Sequence, residues 1–493
     1  MLTGSRLLIA VLGYLGTIII VQHVSTSTYG EFAFVFSILG LIGVVSDLQM
    51  GRVIFRALGE TSDQGAVAGS YLLLRALIGL GSYGVAVAFV VVGGYPADVV
   101  DATLVAGVVL ITGNLKGAII AVYDIERWFF AQALSNTLGQ LLQFGLIIAV
   151  AMAGWHPVLI AFAVPAVFND LLSGALLLYG TTGHLRLRLR PTPRVWGSWL
   201  REISLLALGG ALTVAYHRVD SLLLSKLDSL TSVGYYNLAY KLADLLGYLP
   251  YALTGVMLAP MVRSFVRDRA EFHRFFRQSI LLSVVLAVGG VVMFAGFAAP
   301  FIDAAYGRRY HGIAGATQLL VVGEAMHFLT VLCLITLQAA GRNRGYPVVV
   351  LGALVFNVAA NLVAIPRATY NGAAAVTAVT EVGVAAALLM LTLRLPDVRP
   401  LPVRSFAVCL LAAVPAWAAR TLLLPVLSWP LAGVTTAAVY LAALHVLRVD
   451  GRGGLPALLR NARFATPDPG GVPGFGRAAA AANVAGRDSG EPG

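Results

Sequence analysis

Four charged residues stand inside two apolar runs between Ala211 and Met261: Arg218 and Asp220 in the first run, Lys241 and Asp244 in the second. A charge held in hydrocarbon costs about 3 kcal/mol or more, so such residues are paired or face a wet cavity. Arg and Lys there can hold an anionic group, Arg through a planar fork and Lys as a point charge. A buried carboxylate can neutralise a cation or carry a proton. Lys241 and Asp244 are three apart, share a helix face and can neutralise each other, with Asn237 one turn earlier. Arg218 and Asp220 are two apart and need partners elsewhere, for which pairing across the hairpin, Arg218 with Asp244 and Lys241 with Asp220, is one arrangement. These pairs can line a cavity or simply lock two helices together.

Other ionisable groups fall in apolar segments. In the first half they are Asp47, Arg75, Lys116 and Asp170. Arg75 is the best placed for a cavity, whereas Lys116 and Asp47 lie close enough to span ends to snorkel. In the second half Glu324 and Glu381 are deep and acidic, suited to carrying a coupling proton or pairing with an Arg. His217 and His327 read as packing or cavity polar groups rather than ligands. Tyr216, Tyr235, Tyr236 and Tyr240 offer flat amphipathic faces to sugar rings, or serve packing and an interfacial belt. No nucleophile elbow, Walker loop, HExxH or metal-spaced Cys pair occurs. The reading is therefore a protein that moves something rather than changing it: no enzyme, no catalytic residue, no metal and no cofactor.

What must position these residues is a membrane bundle. The chain is 58% hydrophobic and 12% charged, with a mean hydropathy of +0.84, far from soluble composition. Hydrophobicity on all sides excludes a soluble amphipathic bundle, and the lack of alternation excludes a β-barrel. About fourteen apolar segments reach the length of roughly twenty residues that crosses a bilayer. The first begins almost at Met1 without a signal-type cleavage pattern, so it is expected to stay as an anchor. Cys333 and Cys409 lie in apolar runs, where a thiol packs as a small hydrophobe.

The net charge of +11 reports topology rather than nucleic-acid binding, because Lys and Arg concentrate in alternate loops. That alternation places both termini in the cytoplasm and supports an even number of spans. The basic stretch Thr181 to Arg201 reads as a cytoplasmic linker against anionic headgroups. Val262 to Gln278, with four Phe among basic residues, reads as an interfacial amphipathic helix.

A repeat organises the bundle. Ile20 to Ile42 and Leu224 to Leu246 share an apolar helix end, a Ser/Thr-rich turn, then Gly30 or Gly234, then an aromatic-bearing helix. The glycines are roughly 200 residues apart, as expected for two similar halves in tandem. The expected domains are an N-terminal lobe (1–180), the linker (181–201), a C-terminal lobe (202–395), a further helix pair (396–449) and a disordered tail (450–493).

The stretch YGEFAFVFSILGLIGVVSDLQMGRVIFRAL, Tyr29 to Leu58, resembles the opening of polysaccharide-biosynthesis flippases, the Wzx-type members of the multidrug/oligosaccharidyl-lipid/polysaccharide exporter superfamily. Asp220 with Val233, Gly234, Tyr235, Tyr236 and Ala239 resembles the family's second-half pattern. So do LQAAGRNR (Leu337–Arg344), Asn357 with Asn361, and NGAAAVTAVTEV (Asn371–Val382). The family's basic lead-in is shortened here to MLTGSR. The resemblance implies two six-helix lobes about a central cavity plus a C-terminal helix pair. It further implies alternating-access translocation of a polyprenyl-diphosphate-linked oligosaccharide across the cytoplasmic membrane, with Arg75, Arg218 and Lys241 meeting the anionic headgroup. Membrane lipids and the polyprenyl-linked glycan are the implied partners, joined by a glycan polymerase and glycosyltransferases. Two other functions fit the residues: a multidrug exporter of the same superfamily, and a non-transporting scaffold in envelope assembly.

Overall fold

The computed structural model of the protein describes residues 2–47, 50–59, 63–182, 187–395, 398 and 403–449, with side chains left aside at 2–3, 52–53, 59, 182, 203–215, 217, 251–256, 343 and 403. The expected disordered tail at 450–493 and the side chain of His217 lie outside the described residues.

Among the described residues the regular structure is entirely helical. The first half contains α1 (Leu2–His23), α2 (Thr26–Asp47), α3 (Gly51–Gly59), α4 (Gln64–Val92), α5 (Ala97–Ala106), α6 (Val108–Glu126), α7 (Phe129–Ala153) and α8 (Val158–Thr182). The second contains α9 (Pro193–Leu227), α10 (Leu230–Arg267), α11 (Arg269–Gly290), α12 (Ala298–Ala305), α13 (Ala314–Ala339) and α14 (Tyr346–Leu393), followed by α15 (Val403–Leu423) and α16 (Trp429–Val446). Eleven described helices are long and apolar enough to cross a membrane. The expected count of about fourteen differs from this at α9, α10 and α14. The first two, 35 and 38 residues long, are not among the eleven. The last spans 48 residues but is two helical arms joined at a kink, where Ala368 and Thr369 leave helical geometry. Thr369 there has φ 50°, a left-handed backbone that a β-branched residue rarely adopts.

The halves use the same partnerships. In the first, α1 packs on α7, α4 on α6, and α6 on α8; in the second, α9 packs on α14, α11 on α13, and α13 on α14. α15 lies against α11 and carries α16. The result is two lobes with an added helix pair.

The two repeat glycines meet. A β-carbon on Gly234 would stand 2.7 Å from the Gly30 Cα and 2.9 Å from its N, and one on Gly30 would run into the Leu230 carbonyl. α2 and α10 therefore cross backbone against backbone, the approach that small residues permit between membrane helices. Other polar links between the lobes gather near the same end. They are Tyr14 to Tyr306 at 2.5 Å, Gln22 to the Ala305 carbonyl at 2.9 Å, Arg309 to the Val21 carbonyl, and Lys226 to the Gly93 carbonyl at 2.6 Å. Lys226 also sits 3.8 Å from the centre of the Tyr95 ring. The bundle is clasped at the end bearing the α1–α2 and α9–α10 turns.

The expected interfacial helix at Val262 to Gln278 is instead a corner between two long helices. Asp268 is extended (φ −150°, ψ 110°), ends α10, and caps α11 by accepting from the Ala270 N–H at 2.8 Å. Phe272 and Phe276 then pack fully buried in the second lobe rather than lying in a lipid interface. On the opposite lobe the described part of the linker is strapped to the start of α4. The Arg188 N–H donates to the Gly65 carbonyl at 3.0 Å, and Trp196 donates to Ser70 at 2.8 Å.

Candidate functional site

The α9–α10 hairpin turns at Asp228 and Ser229, and Ser229 caps α10 by accepting from the Ser232 N–H at 3.2 Å. This puts Arg218 and Asp220 on one helix beside Lys241 and Asp244 on the next. Asp220 is 1% exposed and is a hub. Its carboxylate accepts from Tyr236 of α10 at 2.7 Å, and from Asn361 at 2.7 Å and Thr377 at 2.8 Å on the two arms of α14. Asn361 also donates to Asn357 at 3.0 Å. Lys241 is therefore not the partner of Asp220; neutral donors take that place. Arg218 and Lys241 have accessible side chains, and among the described residues neither makes an ion pair with an acid. Asp244 follows Lys241 by one turn of α10.

Asn237 sits between the lobes, donating to Ser221 at 3.1 Å and accepting from Ser37 of α2 at 3.2 Å. Behind it, Glu324 and Glu381 flank His327. Glu324 lies 2.8 Å from Nδ1 and Glu381 3.4 Å from Nε2, and Tyr216 donates to Glu381. His327 is thus the central member of a buried cluster rather than a packing group. Glu324 and His327 are three apart, and that spacing was the signal available in the sequence.

The first-half candidates are engaged elsewhere. Arg75, 2% exposed, points into helix packing instead of a cavity. Its guanidinium donates to Asp47 Oδ1 at 2.7 Å, to the Asp47 carbonyl at 2.8 Å and to the Asn114 carbonyl at 3.2 Å, which ties α4 to the end of α2 and to the body of α6. Lys116 does not snorkel either: it donates to Asp170 at 2.7 Å and to Ser173 at 3.2 Å, joining α6 to α8. Both partners of that pair are mostly buried, with side chains 19% and 13% exposed. Removing one charge of a buried pair strands the other. Lys116→Met is expected to destabilise the protein by about 3 kcal/mol, with much of the loss recovered in Lys116→Met/Asp170→Leu. A thermal-unfolding cycle on the purified protein checks this, and a Lys116→Met variant that melts with the wild type would refute it.

The tyrosines divide in use. Tyr236 and Tyr216 serve the buried acids. Tyr235 packs edge-on against Tyr310 and Tyr370, and Tyr240 lies tilted on Tyr236. The Asn361 Oδ1 on the far side of its amide is buried with no hydrogen-bond partner among the described residues. No cluster of three or more His, Cys, Asp or Glu able to hold a metal occurs among the described residues.

A family model described as "Polysaccharide biosynthesis protein" matches residues 19–315. The chain belongs to that family. No curated protein matches the sequence significantly. Among solved structures, this polysaccharide biosynthesis protein is similar to the lipid II flippase MurJ in an inward closed conformation. The TM-score is 0.75 at 13% identity, over 91% of this chain and 99% of that one. It is also similar to an inward-facing multidrug resistance MATE transporter of the MOP superfamily, with TM-score 0.61 and 13% identity over 78% and 93% of the two chains. The multidrug transporter DinF-BH gives TM-score 0.53 at 18% identity over 80% and 93%. The two-lobed fold of the MOP superfamily is thus shared.

One further feature of this family member lies outside the hairpin. α11, the π-helical turn Val291–Ala295, α13 and α15 enclose a groove of about 710 Å³. Val284, Val288, Met326, Leu329, Phe406 and Trp417 line it, so its wall is almost wholly apolar.

Proposed function

We propose that this protein is a flippase that moves a polyprenyl-diphosphate-linked oligosaccharide across the cytoplasmic membrane, with both termini in the cytoplasm. The observation that carries the reading is the contrast among intramembrane cations. Arg75 and Lys116 are neutralised by Asp47 and Asp170, whereas Arg218 and Lys241 stand accessible on adjacent helices without an ion-paired acid. A diphosphate offers the charge these two side chains lack, and Arg and Lys are the residues suited to hold it. The apolar groove beside α15 suits a prenyl chain, which gains about 0.8 kcal/mol per buried CH₂ relative to water and so stays in a hydrocarbon-like path. Family membership and the likeness to a lipid II flippase support the same class of substrate. A glycan polymerase and glycosyltransferases are the partners this role requires.

A second reading has its own support. The fold is shared with multidrug exporters, and Asp244 lies one turn of α10 from Gly247, against which the Glu324 carboxylate packs, so acid stands near the same surface. A cationic drug would seek those acids and ignore Arg218 and Lys241.

The two readings separate in a deletion strain. Restoring wild type is expected to relieve an accumulation of lipid-linked intermediates on the cytoplasmic side, and Arg218→Ala/Lys241→Ala at matched expression is expected to leave it. Export at the wild-type rate with both cations gone would overturn the assignment. A deletion strain that accumulates no intermediate but becomes drug-sensitive would favour the exporter.

A further inference from the structure

With Arg218 and Lys241 assigned to an anion, a second set of ionisable groups is left unused. His327 is held at both ring nitrogens by carboxylates, Glu324 at 2.8 Å and Glu381 at 3.4 Å, and Glu381 also accepts from Tyr216. Glu324, His327 and Glu381 are 5%, 5% and 1% exposed. A neutral imidazole carries one N–H and can donate at only one of those contacts. The cluster therefore has places for more than one proton, and each proton it gains removes one unit of buried negative charge.

Its surroundings connect it to the cations. α9 contributes Tyr216, Arg218 and Asp220; α10 contributes Tyr236, Tyr240, Lys241 and Asp244; α13 contributes Glu324 and His327; and α14 contributes Glu381. Glu324 packs so tightly on α10 that a β-carbon at Gly247 would collide with its carboxylate. Gly247 is one turn beyond Asp244 and six residues beyond Lys241 on the same helix, so Glu324 meets α10 about 9 Å along its axis from Lys241. The cations and the acid cluster are thus electrostatic neighbours across a single helix.

We infer that the Glu324–His327–Glu381 cluster takes up a proton when an anionic headgroup settles on Arg218 and Lys241. The inference rests on the flippase reading. The anion offsets the positive potential that the two cations cast on the cluster, and proton binding in turn favours the anion, since coupling between two sites is reciprocal. No bond is made or broken beyond the transfer of one proton from water to the cluster. The proton compensates part of the headgroup charge while the headgroup is enclosed among helices, where screening is weak.

The test uses the full chain in nanodiscs and undecaprenyl-diphosphate-N-acetylglucosamine as the probe. As a diester its diphosphate does not itself titrate near neutral pH. Binding to wild type is expected to take up close to one proton, read with a pH dye in weak buffer, and to weaken by up to about tenfold per pH unit on alkalinisation. Glu381→Gln and His327→Gln are expected to bind the probe with proton uptake near zero. Probe binding with no uptake, with proton release, or with undiminished uptake in those variants would overturn the inference. A second measurement needs no ligand: infrared titration of the buried carboxyl band in wild type and in Arg218→Ala/Lys241→Ala. A displaced midpoint is expected, and an unchanged one removes the electrostatic link. Failure of the probe to bind counts instead against the flippase reading, and the infrared comparison then still decides the linkage.

Discussion

A valine in place of Gly234 is expected to stop export while leaving a folded, membrane-inserted protein. α2 and α10 cross with no side chain between them at Gly30 and Gly234. A β-carbon on Gly234 would lie 2.7 Å from the Gly30 Cα, and one on Gly30 would lie 2.6 Å from the Leu230 carbonyl carbon and 3.0 Å from the Thr231 Cα. These obstacles are backbone, which cannot rotate away as a side chain can. A branched residue must therefore push the two helices apart, and overpacking of this kind costs about 1–3 kcal/mol. The cost falls only on the clasped state, because a state in which the helices have separated has room for the added methyls. A bias of about 3 kcal/mol changes the ratio of the two states by more than a hundredfold, enough to hold the protein open at this end. Opening would also part the Tyr14–Tyr306 and Lys226–Gly93 contacts. The check is the labelling rate of Ser225→Cys, placed at this end against Tyr95, in a background with Cys333 and Cys409 replaced. Labelling is expected to rise severalfold with Gly234→Val, and export to fall at least tenfold. Unchanged labelling and unchanged export would mean that the crossing is not a gate.

That crossing also shows what the sequence can and cannot tell. Gly30 and Gly234 are recognisable as equivalent positions because turn and aromatic residues recur around them. That equivalent positions also touch depends on how the two lobes are set against each other, and no local pattern encodes that placement. Arg75 teaches a related lesson. Its depth is legible from its place in an apolar run, but its direction is not, since the acceptors that turn it inward come from Asp47 and Asn114 on two other helices. The same holds for Lys116, which reads as a snorkelling end residue until α8 brings Asp170 to it. The corner at Asp268 was legible in principle, because an Asp that ends one helix and caps the next is a local signal. The basic and aromatic residues on either side of it simply share the composition of an interfacial helix. The acids of the second half were found by their rarity in hydrocarbon, and Glu324 with His327 had helical spacing to join them. Glu381 came from a distant helix and needed the fold.

Asp220 combines both kinds of information, and its replacement is expected to divide folding from transport. The residue stands out in the sequence as an acid in an apolar run, yet its donors reach it from α10 and from both arms of α14. Asp220→Leu fills much of the same space but withdraws the acceptor from Tyr236, Asn361 and Thr377 together. Each buried donor left without a partner costs about 1–3 kcal/mol. The two hydroxyls can turn toward each other, 3.0 Å apart, or toward the Ala373 carbonyl, 3.0 Å from Thr377, so the Asn361 amide bears most of the loss. A destabilisation of about 3 kcal/mol is expected, seen as a lower melting temperature and loosened packing of α14 on α9. Asp220→Asn keeps one acceptor for Asn361, and its new N–H₂ can donate to a hydroxyl that rotates to accept. It is expected to melt near the wild type. The charge is then the only thing removed, so a folded asparagine variant that fails to export would assign the buried negative charge itself to the transport cycle. Equal melting of the leucine variant and wild type would show that the hub does not hold the three helices together. Full export by the asparagine variant would show that the hub is scaffold alone, with the work of the cycle left to the cations and acids one turn away.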